Sequence, residues 1–170
     1  MTTLQTTAPA AWAAILGFVQ TAAALQSPPV TVFPAELSQY EPGSYIIVGD
    51  ITNHGFLPES TGYEFIETYT IGGLCTVFTG STNVDITTTA ADIMADTYAL
   101  YTACVMTPMV TNRGGNGVPV LGITNPQPVY WIMPNQIEFT QGPGNIGGGQ
   151  GGWQAVIRWS YTLKALLSPA

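Results

Sequence analysis

Residues 153–165 read WQAVIRWSYTLKA, and taking every second residue divides them into two sets. Trp153, Ala155, Ile157, Trp159, Tyr161, Leu163 and Ala165 are apolar; Gln154, Val156, Arg158, Ser160, Thr162 and Lys164 are mostly polar. Side chains alternate along an extended chain, so this is a long strand with one face to bury. At about 3.3 Å per residue it runs roughly 40 Å, long for a globular strand. It needs strands beside it and an apolar layer over its Trp/Ile/Trp face. Two of the chain's three cations, Arg158 and Lys164, fall on the polar face.

Residues 63–79 repeat the pattern. Tyr63, Phe65, Tyr69, Ile71, Cys75 and Val77 share one face, and Glu64, Thr68, Thr70 and Thr76 share the other. Glu67 interrupts the apolar face. Gly72-Gly73 marks a bulge or a close backbone approach. YIIVGD at residues 45–50 is a continuous apolar strand, and residues 30–33 form a short extended piece. Another strand covers residues 129–133 and continues after Pro134 through residues 137–139. Residues 53–62, punctuated by Gly55, Pro58 and Gly62, read as a loop, with His54 solvated in it.

Two segments carry helical spacing. Pro9 suits a first helical position, and residues 10–26 are good helix formers. Trp12, Ile15, Leu16, Val19, Ala23 and Leu25 form its stripe, and Ser27-Pro28-Pro29 stops it. Thr89 to Asp92 has the shape of a capping box, and a helix follows to about residue 110. Its stripe is Ile93, Met94, Thr97, Tyr98, Tyr101, Cys104, Val105 and Met109. Asp92 and Asp96 are expected in its first turns, and Pro108 is expected to tighten or break the last one. Gly-rich loops lie near 112–127 and 141–152. The second, QGPGNIGGGQGG, lacks the Gly-Lys-Ser/Thr ending of a phosphate loop and precedes a strand, so it reads as a hairpin connection. The expectation is a single α+β domain over residues 1–170, with an antiparallel or mixed sheet of four to five strands and two helices on one face.

Composition narrows the function. Three Lys and Arg against ten Asp and Glu give a net charge of −7, which argues against gripping a phosphate backbone. Charged residues are 8%, against about 25% in ordinary domains. So little charge suggests surface covered by neighbouring subunits, since interface cores are depleted in charge. Residues 8–25 are apolar, but no positive segment precedes them, and Gln20, Thr21 and many alanines disfavour both a signal peptide and a membrane span. Cys75 and Cys104 have no ligand spacing and read as small buried hydrophobes in a reducing compartment. No Ser–His–Asp set is available. Glu64 and Glu67, three apart in a strand, point to opposite faces and make a poor carboxylate pair. No catalytic residue, cofactor or metal is expected.

The order of motifs is familiar. A helix with Trp12 is followed by YIIVGD, by the strand YEFIETYTI, and by Gly80 and Asp85 leading to a helix with Tyr98-Ala99-Leu100. A Gly-rich loop with VPVLG comes next, and a Gly-Gly-hinged last strand over residues 151–166. Over nearly its whole length the chain resembles the tail terminator, or tail completion, proteins of long-tailed actinobacterial phages. The resemblance implies a ring, a hexamer in that family, which caps the tail tube and joins it to the head connector while DNA passes through the lumen. It implies the chain itself, the tube protein and the connector or stopper as partners, no membrane, and a place in the virion after assembly in the host cytoplasm. Six copies at −7 would carry about −42, an acidic lumen that does not hold phosphates. The chain departs from the family in carrying Asp92 and Met94 where such proteins often place arginines. Another neck component, or a secreted adhesin or lectin-like module, are the alternatives. Arg158, Lys164, Glu64 and Glu67 are the candidate subunit contacts, with Glu64 the expected partner of a cation on the last strand if the two long strands are neighbours.

Overall fold

The computed structural model describes residues 5–35, 43–59, 64–79, 86–115, 118–146 and 150–168. In chain order these form α1 (Ala8–Ala24), β1 (Thr31–Phe33), β2 (Tyr45–Pro58), β3 (Phe65–Thr79), α2 (Ile86–Tyr101), α3 (Thr107–Thr111), β4 (Val129–Pro134), β5 (Glu138–Ile146) and β6 (Gln150–Leu167). The class is α+β. The mixed sheet has six strands, slightly more than expected, in the order β1-β2-β3-β6-β4, with β5 also pairing with β6.

The two long alternating strands are neighbours. β3 and β6 run antiparallel in unbroken register from Phe65↔Leu167 to Thr79↔Trp153. The free edge of β6 is shared end to end. β5 pairs with it up to Glu138↔Arg158, and β4 takes over at Pro134↔Tyr161. Pro134 therefore divides one extended run into two edge strands. β1 adds the sheet's parallel pair, Thr31↔Tyr45.

The helical layer covers one face. Ile157, Leu163, Ile71 and Tyr69 on the sheet lie fully buried in one core with Ile15 and Val19 of α1 and with Cys104 and Val105 beyond α2. Burying each large apolar side chain is worth about 1.5–3 kcal/mol, so this face dominates the stability. Trp159 joins the core at 3% exposure. Cys75 and Cys104 are buried and free, as expected of small hydrophobes, and burial pushes both thiols up.

Gly72-Gly73 is a close approach. A Cβ on Gly73 would sit 2.0 Å from the Ile47 carbonyl oxygen and 2.6 Å from the Trp159 ring. The irregularities lie on β2 instead, whose register shifts between Val48 and Ile51 and again between Thr52 and Gly55.

Several expectations are corrected. Leu25 follows α1 as its C-cap and is exposed, whereas Ala8 and Ala11 extend the buried stripe toward the N-terminus. α2 begins at Ile86, so Thr89 lies within the helix, and Asp92 and Asp96 lie beyond its first turn. Met94 and Tyr98 are partly exposed. Residues Thr102–Met106 are π-helical, with the Thr107 N–H donating to the Thr102 carbonyl. Pro108 explains this: it has no N–H to donate, and its ring crowds the carbonyl of the preceding turn. The hairpin connection expected at 141–152 does join β5 to β6, with strand pairing extending into it as far as Ile146↔Gln150. The loop expected at 53–62 is β2 as far as Pro58. Tyr63, Gly80 and Asp85 lie outside the described residues.

Candidate functional site

Glu67 is the acid that interrupts the apolar face of β3, and its side chain is completely buried there. A carboxylate can be kept there only if its oxygens are hydrogen-bonded. Four donors meet it. The Thr7 backbone N–H and hydroxyl donate to Oε2 at 2.8 and 2.6 Å. The Thr6 hydroxyl donates to Oε1, and His54 Nε2 lies 2.7 Å from the same oxygen. Tyr69 closes the cluster, with its hydroxyl 3.0 Å from Thr7 Oγ1. Since the Thr7 proton is committed to Glu67, Tyr69 is the donor in that bond.

Local structure explains the arrangement. Thr7 is the N-cap of α1, but its side chain makes no capping bond. It turns to Glu67, and the Thr6 hydroxyl accepts the Ala8 N–H in its place. The carboxylate thus sits at a helix N-terminus, where backbone N–H groups and the helix dipole favour an anion. His54 reaches it from β2, held against Phe56 and edge-on to Tyr69. The loop reading of His54 is therefore corrected: it lies in β2, at the register shift between Thr52 and Gly55, and it remains exposed to solvent while its Nε2 meets Glu67.

Burial raises the pKa of Glu67, but the bonds from Thr6, Thr7 and His54 outweigh it and hold the group below the ordinary glutamate value. Burial pushes the Tyr69 hydroxyl up, and the neighbouring Glu67 charge adds to that. The trio Thr6, His54 and Glu67 has the residue types of a nucleophile, base and acid, but not the geometry. A relay needs opposite imidazole nitrogens, one toward the hydroxyl and one toward the acid. Here Nε2 faces both, 3.5 Å from Thr6 and 2.7 Å from Glu67. The cluster is an anchor that fastens the start of α1 across β2 and β3. A second fastening is the Trp12 indole N–H, which donates to the Gly49 carbonyl at 2.7 Å, within the irregular part of β2.

The other candidate contacts lie apart. Arg158 and Lys164 share the face of β6 that turns away from the helices, with Arg158 exposed. Lys164 lies over the Trp131 ring, its Nζ 4.8 Å from the centroid. Glu64 does not pair with either cation: it accepts a hydrogen bond from the Ser168 hydroxyl at 3.1 Å. It stands ten residues from Leu74, the register partner of Arg158, or about 33 Å along the strand. Glu138 is the cross-strand neighbour of Arg158, yet no ion pair joins them.

Arg158 borders a shallow basin of about 370 Å³ on this open face. Ile47 and Leu74 line it together with Gly49, Gly72 and Gly73, and Asp50, Thr52, Asn53, Thr70, Asn135 and Ser160 complete the lining. Asn135 is fixed by its Nδ2 bond to Ser160 Oγ at 2.9 Å and accepts from Thr162 at 3.2 Å. Among the described residues no three His, Cys, Asp or Glu side chains gather to hold a metal ion, and no helix is long and apolar enough to cross a membrane. No protein-family model matches the chain, and no curated protein is significantly similar to it.

Proposed function

We propose that this chain is a structural subunit of a phage neck. It caps the head-proximal end of the tail tube as a ring, a hexamer in the virion, and joins the tube to the head connector. It performs no catalytic step, is assembled in the host cytoplasm, and lets DNA pass an acidic lumen without gripping it. The sequence resemblance supports this reading over nearly the whole chain. The structural observation that carries it is the sheet face left without helices, which holds two of the three cations of a molecule with net charge −7. Of the two, Lys164 lies over the Trp131 ring, whereas Arg158 is exposed, and an exposed cation on such a face can orient an acidic copy of the same chain.

The test is electron microscopy of the virion and of the purified protein mixed with tail tubes. The expected result is a ring with a central hole at the tube end. A virion reconstruction with the chain outside any ring, or small isolated particles beside bare tube ends, overturns the reading.

A further inference from the structure

We propose that the basin on the open sheet face is a binding site for a neutral polyhydroxylated ligand, a saccharide unit. The basin is complete within one subunit, so the inference is independent of the ring reading. One wall is built by the two irregular steps of β2. Between Val48 and Ile51, and again between Thr52 and Gly55, β2 carries one residue more than β3. Such bulges re-aim side chains and recur beside functional sites. Asp50 belongs to the first step and Asn53 to the second, and both line the basin. Asn53 holds φ at 51°, a left-handed conformation that is costly for most residues and that Asn tolerates. The floor is kept low at Gly72, the open-face position between Thr70 and Leu74. A Cβ there would lie 2.9 Å from the Trp159 carbonyl oxygen and 3.1 Å from the Ser160 Cβ. Asn135 forms the opposite wall and is pinned at three points. Its backbone N–H donates to the Ser160 carbonyl at 2.9 Å, its Nδ2 donates to the Ser160 hydroxyl at 2.9 Å, and its Oδ1 accepts from the Thr162 hydroxyl at 3.2 Å.

The lining selects its ligand by charge and by hydrogen-bonding type. Arg158 is the cation of the lining and Asp50 its carboxylate, and neither has an ion pair among the described residues. An anion would meet Asp50 and also Glu138, the cross-strand neighbour of Arg158. An organic cation would meet Arg158. A neutral ligand meets neither repulsion. The other polar groups are the hydroxyls of Thr52, Thr70 and Ser160 and two Asn amides, a mixture of donors and acceptors. Ser160 accepts from Asn135 and keeps its own proton to donate. Hydroxyls both donate and accept, so a vicinal diol can donate to the Asp50 carboxylate and accept from the Arg158 guanidinium. Ile47 and Leu74 close the floor with apolar surface, which suits the C–H face of a sugar ring. The volume of about 370 Å³ falls at the small end of the roughly 300–1,000 Å³ range of ligand sites. A shallow basin leaves much of its ligand in water, so the expected Kd is about 1–10 mM.

The experiment follows amide chemical shifts of the purified chain while maltose, lactose or N,N′-diacetylchitobiose is added up to about 50 mM, several times the expected Kd. Sodium acetate and ethylamine hydrochloride serve as charged comparisons. At least one sugar should give saturating shifts confined to residues 49–53, 70–74, 135, 158 and 160, and the charged probes should bind more weakly. D50A and R158A alter exposed positions, so both should melt as the parent does. Each should weaken sugar binding at least about tenfold, because each removes a hydrogen bond to a charged group. R113A, at an exposed position outside the basin, should bind as the parent does. The proposal is overturned if none of the three sugars shifts the basin, if the shifts lie elsewhere, or if acetate or ethylamine binds more tightly than the sugars. Folded D50A and R158A proteins that bind as the parent does also overturn it.

Discussion

Glu67 is a single residue whose charge state is coupled to the docking of a whole helix. Its pKa is held below the ordinary value when folded, so its contribution to stability is present above the unfolded value, about 4.3, and is lost as pH falls through the folded one. Glu67→Gln should therefore lower the melting temperature at pH 7, and the gap from the parent should close as pH falls below about 4. Melting curves at several pH values check this, and a gap that stays constant would mean that ionisation is not what holds the helix. Glycines give a contrasting pair at the same scale. A Cβ at Gly73 meets a backbone oxygen at 2.0 Å, whereas one at Gly17, exposed on α1, meets nothing within 4 Å. Gly73→Ala should destabilise by more than about 3 kcal/mol, through overpacking that the backbone cannot relieve. Gly17→Ala should stabilise by about 0.5–1 kcal/mol through helix propensity. Denaturant midpoints of the two variants should move in opposite directions.

At the scale of elements, Trp159 tests the central pairing. It is buried on β6 opposite Gly73 of β3, and Trp159→Ala should cost roughly 3–5 kcal/mol in chemical denaturation. A loss below about 1 kcal/mol would mean that the face assignments of β6 are reversed. The long strands and α1 were legible in the sequence because alternation and helical spacing persist there over many residues. Legibility failed where local chemistry and burial disagree. Asn53, His54, Gly55 and Pro58 look like loop residues; Gly55 and Pro58 are paired to Thr68 and Phe65 of β3, whereas Asn53, at φ 51°, and His54 form the irregular step between Thr52 and Gly55. Thr89 and Asp92 mimic a cap that the chain does not use. The π-helical turn needs the position of Pro108 relative to the core to be known. The anchor around Glu67 left one readable trace, an acid on an otherwise apolar face, which requires donors. Its partners, 60 and 13 residues away, follow no motif.

For the whole molecule, charge is the controlling variable. Ten acids against three cations, with two cations on one face, leave no basic stripe for a nucleic acid. Purified protein should not retard duplex DNA in a gel at physiological ionic strength, and lowering the salt should not create tight binding, because few counterions would be released. A shift that strengthens steeply as salt falls would point to a basic surface made only on assembly, and would count against a passive lumen.

The position of β6 within the sheet also matters to a chain still being synthesised. This strand is the last of six in sequence, yet it joins β3 to both β4 and β5. While it is still inside the ribosome, β3 has β2 on one edge and a bare edge on the other, and β4 and β5 have no partner in the sheet. Nascent chains should therefore expose an apolar, strand-forming edge until β6 has emerged, and they depend on contacts of long sequence separation that close slowly. Slower translation or a lower growth temperature should raise the soluble yield less than placing a folded domain upstream, because the vulnerable interval is ended by the arrival of the final strand and not by the speed of the earlier ones.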